Sequence, residues 1–413
     1  MLVRGVAQLV RVPEWGSGGR WFESTHPDKR LFKSLLFINF KIIFMVKRNK
    51  LFLIVFLVLS FVSLSFPQDD LTPVIILDYS PVKDQGMTGT CWSFATLSLL
   101  ETEAIKNGHS DLNISEMYIV RNIYIKKARN YILRQGKCNF AEGAMGHDVI
   151  TGIAKYGAMP EEVYSGLKQG NKIHNHSVLI KTLKNYLDRV LQNIPIPLDW
   201  EKGYIKILDD FLGKPPERFT YKGIEYTPEE FANEVLKFNP DNYINLTSFT
   251  HHPFYQPFIL EVPDNFSGGK YYNVPLEEFM EITRNAVLSG YSVLWDADVS
   301  NDNFKTDEGY AMQWRTQPKG KIDPDADEFM CDQNYRQNLF ENLTTQDDHL
   351  MQFVGIEKSK SGKLFYLTKN SWGEIGRFKG FIKVSEAYFA LNTIAIILHK
   401  DALSNDMKIK LGL

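Results

Sequence analysis

The spacing of apolar residues changes character near residue 290, and that change restricts the fold more than any other feature of the chain. Before it, apolar residues recur every three to four positions. Cys91 to Asn107 carries Phe94, Leu97, Leu100, Ala104 and Ile105 at helical spacing, with Thr90 placed to cap and Gly108 to stop it. Ser115 to Leu133 repeats the pattern, and a third helix is expected over His147 to Lys155, ending at Gly157 before Pro160. Residues of about 165–240 are helical and charged, broken at Pro195-Ile196-Pro197 and Pro215-Pro216. Tyr243 to Val262 is aromatic with strand character, and Pro275 to Leu288 is another helix. From Tyr291 on, Val293–Val299, His349–Glu357, Lys363–Thr368 and Gly380–Val384 read as strands. Only Val74–Leu77, a short buried strand, is expected ahead of the helices. Helices first and strands later predict an α+β fold, not alternating α/β.

With 413 residues, 44% of them hydrophobic and 13% aromatic, the chain can bury a large core and is not a disordered polymer. A net charge of −2 leaves no basic surplus for a polyanion, so nucleic acid is not an expected partner. The cysteines number three, Cys91, Cys138 and Cys331, which is no disulfide framework. No Cys/His cluster has zinc spacing, and no metal or cofactor is expected.

Near the N-terminus, Met45-Val46-Lys47-Arg48-Asn49-Lys50 is basic, Leu51 to Leu64 is apolar, and Ser63-Leu64-Ser65 supplies small residues. This is the layout of a secretory signal over 45–65 and implies export to the periplasm or outside. An uncleaved membrane anchor is the alternative, although the run falls short of the roughly 20 apolar residues that span a bilayer. Residues 1–44 precede that signal. Val6 to His26 resembles the conceptual translation of a transfer-RNA gene, so translation is expected to begin at Met45. The main domain is then 66–403, with an insertion of about 165–290 and a tail at 404–413.

Cys91 opens a predicted helix, where unpaired N–H groups and the helix dipole favour a thiolate. Gln85 lies six positions earlier in Asp84-Gln-Gly-Met-Thr-Gly-Thr-Cys91. Gly86 and Gly89 allow that loop to fold back and set the Gln85 amide beside the Cys91 N–H as two oxyanion donors. Of nine histidines, His349 stands apart. Leu350–Ile356 and Leu364–Thr368 flank the polar turn Lys358–Gly362, and antiparallel partners across it have positions summing to roughly 720. His349 therefore faces the neighbourhood of 371, where Asn370 can orient one imidazole nitrogen and leave the other for Cys91, with Trp372 as a cover. His174 and His176 read as an exposed loop, His251 and His252 as packing residues and His147 as a helix-start residue.

Gln85, Cys91-Trp92-Ser93-Phe94-Ala95, His349 and Lys369-Asn370-Ser371-Trp372-Gly373, in that order, resemble the papain superfamily of cysteine peptidases. The resemblance implies a helical lobe with Cys91, a β-barrel-like lobe with His349 and Asn370, and a peptide-binding cleft between them. His349 follows Cys91 by 258 positions (91 to 349), against the papain-type spacing of about 130–150. With Asp347-Asp348-His349-Leu350-Met351, Lys155-Tyr156-Gly157 and Tyr272-Asn273-Val274-Pro275, this length is similar to the bleomycin hydrolase/aminopeptidase C branch. That branch implies removal of N-terminal residues, often by a hexamer, and a C-terminal tail whose carboxylate binds the substrate's amino group in the cleft. Thr88 stands where papain-like enzymes carry Cys, so the disulfide toward Cys138 is not expected. The paired glycine that lines the cleft becomes Gly143-Ala144, narrowing the non-primed side by one methyl. The expected chemistry is hydrolysis by Cys91, His349 and Asn370, with Cys91 and His349 resting as an ion pair. The alternatives are an endopeptidase, an acyltransferase using the same thioester, or a catalytically silent binding homologue.

Overall fold

A computed structural model describes residues 70–413 other than Ser110 and Gln169; the N-terminal extension and the signal segment lie outside the described residues. Among the described residues no helix is long and apolar enough to cross a membrane.

Among the described residues, the first half is built on five long helices: α1 Cys91–Lys106, α2 Glu116–Leu133, α3 Gly146–Tyr156, α4 Ser177–Leu191 and α5 Trp200–Leu212. Their starts and stops agree with the sequence pattern to within a residue or two where it was explicit. Helix α1 is buried along nearly its whole length, and Trp92, Leu97 and Leu99 are almost fully enclosed. Ser115 caps α2 by accepting from the Tyr118 N–H at 3.1 Å. Thr90 makes no such cap on α1. Its hydroxyl is bonded instead to the Thr88 hydroxyl at 2.6 Å.

The inserted region extends the helical core. Leu179, Leu183 and Leu187 of α4 and Tyr204, Leu208 and Leu212 of α5 pack into the same apolar cluster as α1 and α2. A hairpin unseen in the sequence, β2 Phe219–Tyr221 and β3 Ile224–Tyr226, turns at Lys222-Gly223 and adds Phe219, Tyr221 and Tyr226 to that cluster.

The second half is one large mixed sheet, most of whose strand pairs are antiparallel. Its centre is built from β7 Val293–Ala297, β10 His349–Lys358, β11 Leu364–Lys369, β12 Phe381–Ser385 and β13 Thr393–His399. At one edge stand β4 Tyr243–Thr247, β6 Lys270–Asn273 and β5 Pro257–Ile259; at the other, β9 Tyr310–Ala311 and β8 Phe304–Lys305. Strand β1, Thr72–Ile76, adds to β10. It is not the buried strand expected, since Val74 and Ile76 are 47% and 42% exposed. Ile75 is partly buried against the core, while Val74 and Ile76 face outward and the strand is held by its pairing with β10. Strand β13, a short apolar run directly after helix α8 (Glu386–Asn392), escaped the sequence reading because such a run fits strand or buried helix equally well.

The sheet sorts its two faces by alternation. Leu294 of β7, Leu350 of β10 and Ile397 of β13 point into the helical core. Their neighbours Val293, Trp295, Met351, Ile396 and Leu398 point into a second core with helix α6, Leu276–Leu288. Helix α1 is tied to the first face by polar bonds as well. The Gln352 side chain on β10 donates to Thr102 Oγ1 at 2.8 Å and to the Ser98 carbonyl at 3.2 Å, and accepts from Ser98 Oγ. Buried and fully satisfied, this network sets α1 at one height along β10.

Candidate active site

The loop before α1 is held from three sides. Asp84 bridges to Trp372, the Gln85 N–H donates to the Ser371 carbonyl at 2.8 Å, and the Gly373 N–H donates to the Lys83 carbonyl at 3.0 Å. Gly86 has φ +64°, and a Cβ there would lie 2.6 Å from the His174 carbonyl oxygen, so the position requires glycine. The Met87 N–H donates to that same oxygen at 2.8 Å, and the Met87 carbonyl accepts from the His176 N–H at 3.3 Å. His174 and His176 are thus buried (8% and 2%), correcting the exposed loop expected of them. The third tie is the Gly89 N–H to Glu142 Oε2 at 2.6 Å, beside Trp92 Nε1 on the Glu142 carbonyl at 3.1 Å.

Inside this loop Gln85 Oε1 accepts from Ser371 Oγ at 2.7 Å, and one Nε2 hydrogen goes to the Thr88 carbonyl at 2.6 Å. The amide orientation is thereby set, with one N–H left over. Thr88 Oγ1 donates back to the Gln85 carbonyl at 2.9 Å. A hydroxyl staples the loop where the resemblance has a disulfide, and all three cysteines are free.

Cys91 is the first residue of α1 and only 7% exposed. The backbone N–H of Leu350, next to His349, reaches its sulfur. His349 Nε2 lies 2.7 Å from Asn370 Oδ1, and the same oxygen accepts the Ser371 N–H at 2.7 Å. A backbone N–H can only donate, so this Asn370 atom is the oxygen and Nε2 carries the imidazole proton. Nδ1 is left as the acceptor. The Trp372 ring stacks on His349 with centroids 4.4 Å apart. The hairpin arithmetic holds to within two positions: Gln352 pairs with Lys369 and Lys358 with Leu364, with a bulge between Phe353 and Gly355.

Burial weighs on both members of the expected ion pair. Burial drives the Cys91 thiol well above its ordinary range, and the fields of Asp347, Asp296 and Asp264 add to that, opposed by the Leu350 N–H. Burial lowers His349, opposed by its Asn370 bond. Each shift reflects the hydration lost by one charge, and the mutual attraction of thiolate and imidazolium acts the opposite way.

Gly143 and Ala144 follow Glu142 directly. Ala144 is 1% exposed and part of the helical core, so its methyl does not narrow the cleft as expected. Gly143 instead has Asp264 packed against it: a Cβ built there would sit 1.7 Å from Asp264 Oδ2. Sequence reasoning missed Asp264, Asp296 and Lys127, which donates to the Gly143 carbonyl, and met Asp347 only within a resemblance word. No local pattern marks them, because they come from four separate segments. Away from this centre, His147 is bonded to Tyr271 and Ser267, each at 2.9 Å, and His251 and His252 both reach Glu261, at 3.1 and 2.7 Å.

The two-faced α+β architecture, with Cys91 on the helical lobe and His349 beside Asn370 on the sheet, is that of a papain-like cysteine peptidase. The chain belongs to the Peptidase C1-like family, whose model matches residues 141–412; the model of the Papain family cysteine protease matches 76–180. Aminopeptidase C of Lactococcus lactis subsp. cremoris is 23% identical over 377 residues, covering 80% of this chain and 83% of that protein. Aminopeptidase G of Lactobacillus delbrueckii subsp. lactis is 24% identical over 380 residues, covering 79% and 82%. The crystal structure of pepW from Lactobacillus rhamnosis HN001 has the same fold, with a TM-score of 0.67 at 19% identity over 83% of this chain and 84% of that one.

Proposed function

We propose that this chain is an aminopeptidase of the bleomycin hydrolase type, with Cys91 as nucleophile, His349 as base and acid, Asn370 as its orienter and Gln85 as an oxyanion donor. The observation that carries the reading is the bond from His349 Nε2 to Asn370 Oδ1 under the Trp372 ring, with the next residue of that strand, Leu350, packed in one apolar core with Cys91. In this reading Nδ1 takes the thiol proton as sulfur attacks the scissile carbonyl, forming the C–S bond. The spare Gln85 N–H and the Cys91 N–H meet the developing oxyanion. The imidazolium then protonates the leaving amine as the C–N bond breaks, and water, deprotonated by His349, hydrolyses the thioester. The names of the relatives, aminopeptidases C and G, support removal of residues from the N-terminus.

The direct test compares aminoacyl arylamides with their N-acetylated forms. Cleavage confined to the free amine is expected; equal rates on both would replace this reading with an endopeptidase. Asn370→Ala is expected to lower kcat about tenfold to a hundredfold with little change in KM, since His349 loses the bond that orients it. Steady-state kinetics on one arylamide check this.

A further inference from the structure

The two oxyanion donors stand at the ends of one loop, so whatever fixes that loop fixes their spacing. Its first half is tied to other segments through the backbone, Gln85 to Ser371 and Met87 to His174. Its second half, Thr88-Gly89-Thr90, makes no backbone pair with another segment among the described residues, and Thr90 does not cap α1. Glu142 fills that gap. Its Oε2 takes the Gly89 N–H at 2.6 Å. Its carbonyl takes Trp92 Nε1 at 3.1 Å, a hydrogen that the Gly89 carbonyl shares at the same distance. The approach is close, since a Cβ at Gly89 would lie 3.1 Å from the Glu142 Cβ. Trp92 is fully enclosed and pins both chains from below.

Burial makes Glu142 a costly acceptor. It raises the carboxyl, opposed first by the Gly89 N–H and then by the charge of Lys127. Lys127 itself donates to the Gly143 carbonyl. Among the described residues the Gly89 N–H is the single hydrogen-bond donor to this half-buried carboxylate. Such a bond adds little net stability, because desolvation offsets much of it. What a charged acceptor gives is a short and directional bond. That bond lands four residues after Gln85 and two before Cys91.

Thr88 carries the constraint back to Gln85. Its carbonyl accepts from Gln85 Nε2 at 2.6 Å, and its hydroxyl donates to the Gln85 carbonyl at 2.9 Å. The hydroxyls of Thr88 and Thr90, on either side of Gly89, are 2.6 Å apart. Holding Gly89 therefore holds the backbone and the amide of Gln85 on one side and the start of α1 on the other.

We propose that Glu142 is a positioning residue for the oxyanion site: its bond to the Gly89 N–H sets the turn that keeps the spare Gln85 N–H and the Cys91 N–H at one spacing. This role deepens the peptidase reading and rests on Gln85 being an oxyanion donor. Glu142 acts through the loop and not on the substrate, so it matters when the oxyanion forms and little before.

Two reagents separate the oxyanion site from the thiol. An aminoacyl aldehyde adds the Cys91 sulfur to its carbonyl carbon; the carbonyl oxygen takes up the thiol proton and stands where the oxyanion would. Iodoacetamide alkylates the same sulfur by displacing iodide, the thiol proton is released, and no oxyanion forms. Glu142→Met keeps the bulk and removes the acceptor. It should lower kcat on an aminoacyl arylamide about tenfold to a hundredfold, change KM by no more than about threefold, weaken the aldehyde about as much as kcat, and leave the alkylation rate within about twofold of wild type. Glu142→Gln keeps an acceptor in place and should restore most of the loss. Thermal melting shows whether each variant is folded, and Glu142→Ala carries the same comparison if the methionine variant is not. Wild-type kcat and aldehyde affinity in Glu142→Met, an alkylation rate that falls with them, or a glutamine variant as impaired as the methionine one overturns the assignment, while Gln85→Ala still weakens turnover and aldehyde binding. If Gln85→Ala leaves both unchanged, the oxyanion reading of Gln85 itself falls.

Discussion

Replacing Cys91 by serine is expected to lower kcat/KM on any cleaved arylamide by about 10⁴-fold or more while moving the melting temperature by no more than a few degrees. The swap is nearly isosteric, and the position tolerates a polar atom. The Leu350 N–H that reaches the sulfur can serve a hydroxyl equally well. The loss is chemical. His349 is lowered by burial and is a weak base in this setting, and an alcohol holds its proton far more tightly than a thiol. Mass spectrometry after mixing with substrate adds a second readout, since no acyl group should remain on a peptide containing residue 91. Residual turnover within about a hundredfold of wild type would remove Cys91 from the mechanism.

The second large effect is on stability. Lys83→Met should destabilise the protein by about 3–5 kcal/mol, lowering its melting temperature by roughly 10 °C. Lys83 Nζ lies 2.8 Å from Glu101 on α1 and 2.5 Å from Glu116 on α2, and both carboxylates are nearly enclosed. Burial and the Glu101 charge already raise the Glu116 carboxyl, and Lys83 is what opposes them. Without that cation the Glu116 carboxyl rises further above its ordinary 4.5. A carboxyl raised in the folded state costs stability above its unfolded pKa and nothing below it. The deficit of Lys83→Met is therefore expected to be small near pH 4.5 and to grow toward neutral pH, a sign that denaturant melts at several pH values read directly. Because Lys83 also accepts the Gly373 N–H on its carbonyl, a variant that is folded at pH 5 tests whether this corner positions Gln85.

Much of the centre could be read from the chain because its parts are local. A helix start, a glycine-bearing loop of six residues and a hairpin with a countable turn each set geometry over a few neighbouring peptides. The helix start at Cys91 and the His349–Asn370 contact were accordingly legible, and the bulge at Phe353–Gly355 displaced the register by no more than two positions. Where several local outcomes were equally good, the sequence reading failed. Thr90 could cap a helix or bond Thr88, Val74–Leu77 could be core or margin, and His174 and His176 could be exposed or pinned under Gly86. Their states were selected by what packs against them.

The order Gln85, Cys91, His349, Asn370 and the helix-then-strand texture by themselves determined a papain-like peptidase, because that chemistry and those backbones depend on short-range spacing. What surrounds the sulfur was decided only by the tertiary structure. Asp264, Asp296, Asp347 and Lys127 are brought together by burial of Phe266, the pairing of β7 with β10 and the packing of α2, and the three carboxyls act with burial to raise the Cys91 thiol. The tail was decided in the same way: Met407 and Leu411 are apolar enough to seek a core, and the one they found lies on the far side of the sheet from Cys91.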